Sequence, residues 1–288
     1  MNDEIRLKKE SRFVEIWRQL KKNRVAVFSL FIILLIILIA ILAPLLAPYT
    51  YDEQDLLSPF ASSSREHLLG TDRLGRDVLS RLLYGSRQSL QIGIVSVGIS
   101  AILGILVGAI AGYYGGWLDN LIMRLLDIYQ SIPMFLLCVT LAAVLGPSLM
   151  NAIIAIGISM VPGYARLMRA SILTVRENEY IEAAHSINAG SLRIIRKHII
   201  PNAIAPLIVN ITMSLGGSVL AGAGLSFIGL GVQPPIPEWG AMISDARNFM
   251  RDHSTLALYP GICVIITVLA FNLLGDGLRD ALDPRLKN

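Results

Sequence analysis

The residues best suited to catalysis or metal binding are few and scattered along the chain. The histidines and cysteines are His67, His185, His198, His253, Cys138 and Cys263. No His-Glu-x-x-His sequence occurs, and every histidine lies outside the long apolar segments, so an intramembrane enzyme site is not indicated. Both cysteines lie inside apolar stretches, which favours buried side chains over the alternative of a disulfide or metal site. The absence of any Gly-Lys pair excludes a Walker-type nucleotide site on this chain.

The composition is that of a membrane protein. Of 288 residues, 54% are hydrophobic and 16% are charged, and the mean hydropathy is +0.60. Soluble domains carry about 25% charged residues, so an ordinary soluble enzyme and a disordered protein are both excluded. A net charge of +4 could suggest a nucleic-acid partner. The basic residues lie beside apolar runs, however, which favours membrane lipid as the partner and no nucleic acid.

Six apolar segments are long enough to cross a membrane. The first, 25–46, follows a basic leader at 1–24 and is too long for the apolar region of a cleaved signal peptide, so we interpret it as an uncleaved span. The others are 89–112, 128–145, 152–168, 203–225 and 256–274. Each should be helical, because hydrocarbon offers no partner to a free backbone group. Together they predict an all-α integral membrane protein with six transmembrane helices.

The basic residues also predict the orientation. With the N-terminus inside, 18 of the 25 lysines and arginines lie in cytoplasmic segments and seven lie outside. Both termini, the loop 176–201 and the tail 275–288 are therefore predicted to be cytoplasmic, and the loops 47–88 and 226–255 extracytoplasmic. None of the six spans carries Lys, Asp or Glu at its centre, which argues against an ion-coupled secondary carrier or a channel, the alternatives from another class.

Each extracytoplasmic loop contains one predicted helix. In 72–84, apolar residues share one side, and Gly85 is predicted to end this interfacial helix. In 239–250, apolar residues recur at helical spacing after three prolines. This second helix is either a lid on the protein's own spans, which we favour, or a helix lying on the membrane surface with Trp239 as its anchor.

The cytoplasmic loop 176–201 carries the most specific pattern. It reads R-E-N-E-Y-I-E-A-A-H-S-I-N-A-G-S-L-R-I-I-R-K-H-I-I-P. Glutamates at its start and the turn signal Asn188-Ala189-Gly190 predict two short helices with a bend, closed by Pro201. The second helix is predicted to place Leu192, Ile195 and Ile199 on one face and basic residues on another. From composition alone, the loop is either a solvated basic segment or a docking element for a cytoplasmic partner.

This loop resembles the EAA loop of ABC-importer permeases, whose coupling helix inserts into the ATPase subunit. The segments 70–87 (G-T-D-R-L-G-R-D-V-L-S-R-L-L-Y-G-S-R), 225–240 (L-S-F-I-G-L-G-V-Q-P-P-I-P-E-W-G) and 271–285 (F-N-L-L-G-D-G-L-R-D-A-L-D-P-R) resemble the C-type permease of dipeptide and oligopeptide importers. Nearly the whole chain after the leader is covered. The residues that the resemblance assigns to ATPase coupling are Glu182, Ala183, Ala184, His185, Ser186, Ile187, Asn188, Ala189, Gly190, Ser191 and Leu192.

The resemblance implies a type I ABC-importer permease fold in the cytoplasmic membrane of a bacterium or archaeon. It further implies a homologous B-type permease as partner, two cytoplasmic ATPase subunits that use ATP and Mg, and an external peptide-binding protein. No cofactor is expected on this chain, which is not itself expected to be an enzyme. Family members carry dipeptides, longer peptides, nickel or other small solutes, so nickel or another solute stays an alternative.

Two positions depart from the family's pattern. Asn188 stands where the EAA loop usually has glycine, and because asparagine tolerates a left-handed turn we expect the bend to be kept. Gly222 stands where the family often has an acidic residue, so no substrate-binding role is assigned near it. No cluster of polar residues in the spans indicates a substrate site, and the substrate path stays unassigned.

Overall fold

The structure is a computed structural model that describes residues 12–187 and 189–282. Leader residues 1–11, Asn188 and tail residues 283–288 lie outside the described residues. In chain order the helices are α1 (Arg12–Leu20), α2 (Arg24–Leu46), α3 (Val78–Tyr114), α4 (Gly116–Gln130), α5 (Met134–Leu145), α6 (Leu149–Arg176), α7 (Glu179–Ser186), α8 (Ser191–Ile194), α9 (Ile200–Ala203), α10 (Ala205–Phe227), α11 (Trp239–Ala246) and α12 (Thr255–Leu282). A π-helical turn, Ile195–Ile199, joins α8 to α9.

The predicted all-α membrane architecture is confirmed. Within the described part of the chain, α2, α3, α6, α10 and α12 are each long and apolar enough to cross a membrane, and the bent pair of α4 and α5 makes a sixth span when the two helices are counted together. Polar side chains cap the starts of several helices: the backbone N–H of Ala26 donates to Asn23 at α2, and that of Ser80 donates to Asp77 at α3. The bundle has two ends, which we name the α7 end and the α11 end after the short helices that lie there.

The segment 128–145, predicted as one transmembrane helix, is instead broken. The helix begins at Gly116, stops at Gln130 and resumes at Met134 after a bend of 82°. Pro133 lies at the break, where it lacks the N–H that would continue the hydrogen-bond ladder and restricts the residue before it. The span therefore has two limbs that point in different directions.

The first limb, α4, is held against α6 by ion pairs. Their aspartates lie on α4, before residue 128 where the span was predicted to begin, and their arginines lie on α6. Arg169 donates from Nε and Nη2 to the two carboxylate oxygens of Asp119, at 2.5 and 2.6 Å. Arg166 donates to Asp127 at 2.6 Å. Two-pronged contacts between a guanidinium and a carboxylate fix orientation as well as distance, so they set how α4 lies against α6.

Two other predicted helix ends are also wrong. Gly85 does not end an interfacial helix, because α3 runs unbroken from Val78 and so takes residues 78–88 out of the predicted loop. A Cβ at Gly85 would approach the Trp239 ring to 3.2 Å, so the glycine makes room for packing. Similarly, α12 continues past 274 to Leu282, because Gly277 lets it lie directly on Ala26 of α2.

The glycines at four-residue spacing on one face of α3 pack against α6. A Cβ at Gly104 would lie 2.3 Å from Tyr164 Cβ, and one at Gly108 would lie 2.3 Å from the carbonyl oxygen of Ala165. At Gly112 the nearest atom, Ile172 Cβ, would be 3.0 Å away. The two backbones therefore approach closely along this line.

We expect Gly108→Leu to lower the free energy of unfolding by about 1–3 kcal/mol, because the added side chain would force α3 and α6 apart. The measurement is thermal unfolding of the purified, assembled protein. Gly98→Leu is the matched control, since it adds the same side chain to the same helix where no atom lies within 4 Å. Equal melting temperatures for the two variants would contradict this packing.

Candidate functional site

The loop between α6 and α10 folds as the sequence predicts in outline, with two short helical segments and a bend. It consists of α7, a bend that begins at Ile187, and a second segment made of α8, the π-helical turn and α9. The turn is closed by the backbone N–H of Ala189, which donates to Ala184, and by that of Arg193, which donates to Gly190. Gly190 itself has an extended backbone with φ −61°, so the bend does not use a left-handed glycine there.

The base of the loop is an apolar core shared with α3, α6 and α10. Ile181 and Ala184 of α7 are buried in it, together with Ile194 of α8. The other members are Ala109, Met168, Ile172, Val175, Ile199, Ala203 and Leu207. Because α7 and α8 contribute to the same cluster as the end of α6, a displacement of the loop must displace that end of α6 as well.

The predicted apolar face of the second helix is wrong in its register. Ile194 and Ile199 are buried, whereas Leu192 is 78% exposed and Ile195 is half-buried. A π-helical turn accounts for the shared face of Ile194 and Ile199: in it, the N–H of Ile200 donates to the carbonyl of Ile195, five residues earlier. One added residue in the turn places side chains five apart on the same face. The helix also continues through Pro201, which occupies the first turn of α9, where a proline N–H is not needed.

The tip of the loop presents apolar side chains to its surroundings. Ile187 is 80% exposed and Leu192 is 78% exposed, one on each side of the turn. Glu182 is exposed near them, and Arg193, Arg196 and Lys197 are exposed along the second segment. We call Ile187 and Leu192 the apolar tip. Two large aliphatic side chains, held outward on either side of one turn by a packed base, offer an apolar contact to a partner.

The structure separates the residues assigned to coupling into two groups. The exposed ones are Glu182, Ala183, Ser186, Ile187, Gly190, Ser191 and Leu192. Ala184 is 6% exposed and packs in the protein's own core, while Ala189 is half-buried. The side chain of His185 and the whole of Asn188 lie outside the described residues.

Two hydrogen-bonded contacts hold the loop to the spans. Arg176, the last residue of α6, donates to the carbonyl oxygens of Gly112 and Tyr113 at the end of α3, both at 3.2 Å. The Asn178 amide donates to the carbonyl of Val175 at 2.8 Å. These contacts satisfy carbonyls that helix ends leave free, and they join α3, α6 and the loop at the α7 end.

At the opposite end, α11 is a lid on the protein's own spans, as favoured from the sequence. Trp239 is 3% exposed and its indole N–H donates to the carbonyl of Leu82 at 3.1 Å. A Cβ at Gly240 would lie 2.3 Å from Ala223 Cα, so the helix lies directly on α10. The alternative, with Trp239 as an anchor in the membrane surface, is therefore wrong.

The lid is held by a fully buried carboxylate. Glu238 is 0% exposed and begins α11. Its carboxylate accepts a hydrogen bond from the Ser89 hydroxyl at 2.9 Å and one from each of the backbone N–H groups of Gly240 and Ala241 at 3.0 Å. These three hydrogen bonds explain how a charged residue is accommodated without solvent.

Sequence reasoning missed an open cavity, lined by both polar and apolar side chains, which we call the polar cavity. It has a volume of about 380 Å³ and lies where the break between α4 and α5 meets α6 and α10. Its polar side chains are Tyr129, Gln130, Ser159, Tyr164, Asn210 and Ser214. These residues are isolated from one another in the sequence, and no local pattern unites them. The one available signal was Pro133, which predicts the break that opens the space.

The remaining candidate residues do not form a site in the described part of the chain. Cys138 is buried and Cys263 half-buried, and both are free thiols. Across residues 12–187 and 189–282, no group of three histidine, cysteine or acidic side chains could hold a metal ion. The exposed apolar tip and the polar cavity are therefore the features that require a functional explanation.

Comparison with known proteins identifies the family. Residues 104–288 match the family described as binding-protein-dependent transport system inner membrane component, and residues 11–61 match the N-terminal TM domain of oligopeptide transport permease C. The dipeptide transport system permease protein DppC of Alkalihalophilus pseudofirmus is 47% identical over 95% of this chain and 90% of its own length. The di/tripeptide permease protein DppC of Pseudomonas aeruginosa is 46% identical, over 95% and 92%.

Two further likenesses extend the comparison. The glutathione transport system permease protein GsiD of Pectobacterium atrosepticum is 44% identical over 95% of this chain and 91% of its own length. Inward facing structures of the MetNI methionine ABC transporter superpose with a TM-score of 0.58 at 22% identity, over 70% of this chain and 96% of that one. The latter likeness concerns the fold alone and confirms the type I ABC-importer architecture. The chain thus belongs to the inner membrane components of binding-protein-dependent transport systems, among the C-type permeases of peptide ABC importers.

Proposed function

We propose that this chain forms half of the translocation path for dipeptides or oligopeptides in an ATP-driven, binding-protein-dependent importer. The functions of its relatives, which are dipeptide, di/tripeptide and glutathione permeases, support a peptide substrate. One observation supports the coupling mechanism: the apolar tip is exposed, and the base of its loop packs in the same apolar core as α6.

In this proposal, the ATPase subunit receives the apolar tip in a groove on its surface. Ile187 and Leu192 lose their contact with water on docking, which is favourable by about 25 cal/mol per Å² of apolar area buried. When ATP closes the two ATPase subunits, the tip moves with them. Because Ile181, Ala184 and Ile194 pack against the end of α6, this movement is transmitted to the spans.

The partners and sidedness follow from the same proposal. A homologous B-type permease completes the path, and two ATPase subunits use ATP and Mg at the α7 end, so that this chain needs no cofactor of its own. The external binding protein delivers peptide at the α11 end. The distribution of basic residues supports cytoplasmic termini and a place in the cytoplasmic membrane of a bacterium or archaeon.

The experiment is purification of the complex through a tag on this chain, followed by reconstitution into liposomes. We expect ATPase subunits to copurify, and uptake of radiolabelled alanyl-alanine to require both ATP and the binding protein. Uptake of radiolabelled Ni²⁺ instead of the dipeptide would transfer the assignment to the nickel alternative. Uptake by this chain without any ATPase would establish a secondary carrier and contradict the proposal.

A further inference from the structure

We propose that the polar cavity binds the backbone amide of a peptide in transit, and that the hydroxyls of Tyr129 and Tyr164 are the groups that bind it. This inference rests on the proposed function, since it names the part of the substrate that the path recognises. Tyr129 lies at the end of α4 and Tyr164 in the middle of α6, so the site joins the bent span to the helix that carries the coupling loop.

The first observation is that both hydroxyls are buried without a hydrogen-bond partner. Tyr164 as a whole is 2% exposed. Ser159 is the polar neighbour of Tyr129 and Ser214 that of Tyr164, but neither pair has the geometry of a hydrogen bond. The two serine hydroxyls donate instead to the carbonyl of Ala155 at 2.7 Å and to the amide oxygen of Asn210 at 3.1 Å. An unpaired buried hydroxyl is unfavourable, and most buried polar groups in proteins are paired. A ligand that supplied the missing partners would remove that penalty.

The second observation is the chemistry of the lining. The twelve residues that line the cavity are tyrosine, amide, hydroxyl and apolar side chains, and none of them is charged. Hydroxyl and amide groups both donate and accept, which suits the C=O and N–H of a peptide bond. Nickel would instead favour imidazole ligands, and none of the twelve lining residues is a histidine. Neutral groups that bind the backbone would also tolerate different peptide side chains.

The third observation is that the cavity is one of a series that leads to the α7 end. Asn210 also lines a neighbouring cavity of about 610 Å³, which reaches Arg279 and Leu282. Leu167 lines both that cavity and a third one of about 320 Å³ beside Thr174 and Asn202. Polar side chains are thus spaced along α6 and α10 from the tyrosines to the base of the coupling loop.

The first test removes the hydroxyls alone. In the reconstituted complex, Tyr129→Phe and Tyr164→Phe are expected each to lower the rate of alanyl-alanine uptake roughly two- to ten-fold, the range expected for one lost hydrogen bond. Thermal stability should be equal to or above the wild-type level, because each substitution removes a buried hydroxyl that has no hydrogen-bond partner inside the protein, and ATPase copurification should be unchanged. Undiminished uptake in both variants would overturn the inference.

The second test fills the cavity. Gly163 lines it, and a Cβ there meets no atom within 4 Å, so Gly163→Leu should fold normally and occupy the space. We expect uptake to fall at least ten-fold. Gly261→Leu is the matched control, since Gly261 lies in α12 with equally open surroundings and does not line the cavity. Equal losses in both leucine variants would show a general disturbance of the spans and overturn the inference.

The outcomes separate this inference from the function on which it rests. If the wild-type complex shows no ATP-dependent peptide uptake, the proposed function fails first. If the wild type transports alanyl-alanine and the phenylalanine variants do so equally well, the function stands and the tyrosine site is wrong. A third outcome is loss of uptake in Gly163→Leu with full uptake in both phenylalanine variants. It would show that peptide passes through the cavity but is not bound there by the tyrosine hydroxyls, and it would overturn the inference.

Discussion

The double substitution Ile187→Asp and Leu192→Asp is expected to abolish ATP-dependent uptake while leaving the protein folded and inserted. Both side chains are about four-fifths exposed, so aspartate at either position is solvated in the free chain. In the complex, by contrast, the two carboxylates would be buried in an apolar groove without partners. We expect the affinity for the ATPase to fall at least a hundred-fold, since truncated hot-spot residues each cost about 2 kcal/mol or more.

Copurification of the ATPase with the tagged chain is the measurement, followed by uptake in liposomes. Leu57→Asp is the matched control, because Leu57 is 95% exposed in the loop at the α11 end. This control should retain both the ATPase and transport. Normal copurification of the ATPase with the double variant would contradict the assignment of the apolar tip as the docking surface.

The second large effect is expected at the lid. Glu238→Gln should lower the free energy of unfolding by about 2–4 kcal/mol, because an amide cannot accept at both positions where the carboxylate now does. The glutamine amide has two orientations. In one, its NH₂ group faces the N–H of Ala241; in the other, it faces the N–H of Gly240 together with the Ser89 hydroxyl. Thermal unfolding of the purified complex measures this loss.

Glu53→Gln provides the comparison for the lid. Glu53 is an exposed glutamate in the loop at the same end, and the same change there should alter stability by less than about 0.5 kcal/mol. A melting temperature for Glu238→Gln equal to that of Glu53→Gln would show that the carboxylate does not hold the lid. Protease sensitivity of the segment 226–255 gives a second, local readout of its release.

The sequence was sufficient for the apolar spans because hydropathy over about twenty residues is a long, redundant signal. The helix ends were less predictable, since they depend on contacts between distant residues. Gly85 looks like a terminator in isolation, but the ring of Trp239 occupies the place of its missing side chain. The extension of α12 beyond 274 likewise depends on Gly277 meeting Ala26.

The coupling loop shows the same division between local and tertiary signals. Its two segments and its turn follow from acidic residues, a turn tripeptide and the proline after it. The π-helical turn has no such signature, and it places Ile194 and Ile199, five residues apart, on one buried face. The polar cavity was missed for a related reason, because Tyr129, Tyr164 and Asn210 are brought together by three different helices.

The central claim, that a motor outside this chain drives it through the apolar tip, is tested most directly by photocrosslinking in native membranes. A photoreactive phenylalanine analogue replaces Leu192 in one strain and Leu57 in another, and the crosslinked partners are identified by mass spectrometry. The account predicts that position 192 crosslinks to an ATPase subunit and that position 57 does not. Crosslinking of position 192 to an external protein, or to no protein while the complex transports peptide, would contradict it.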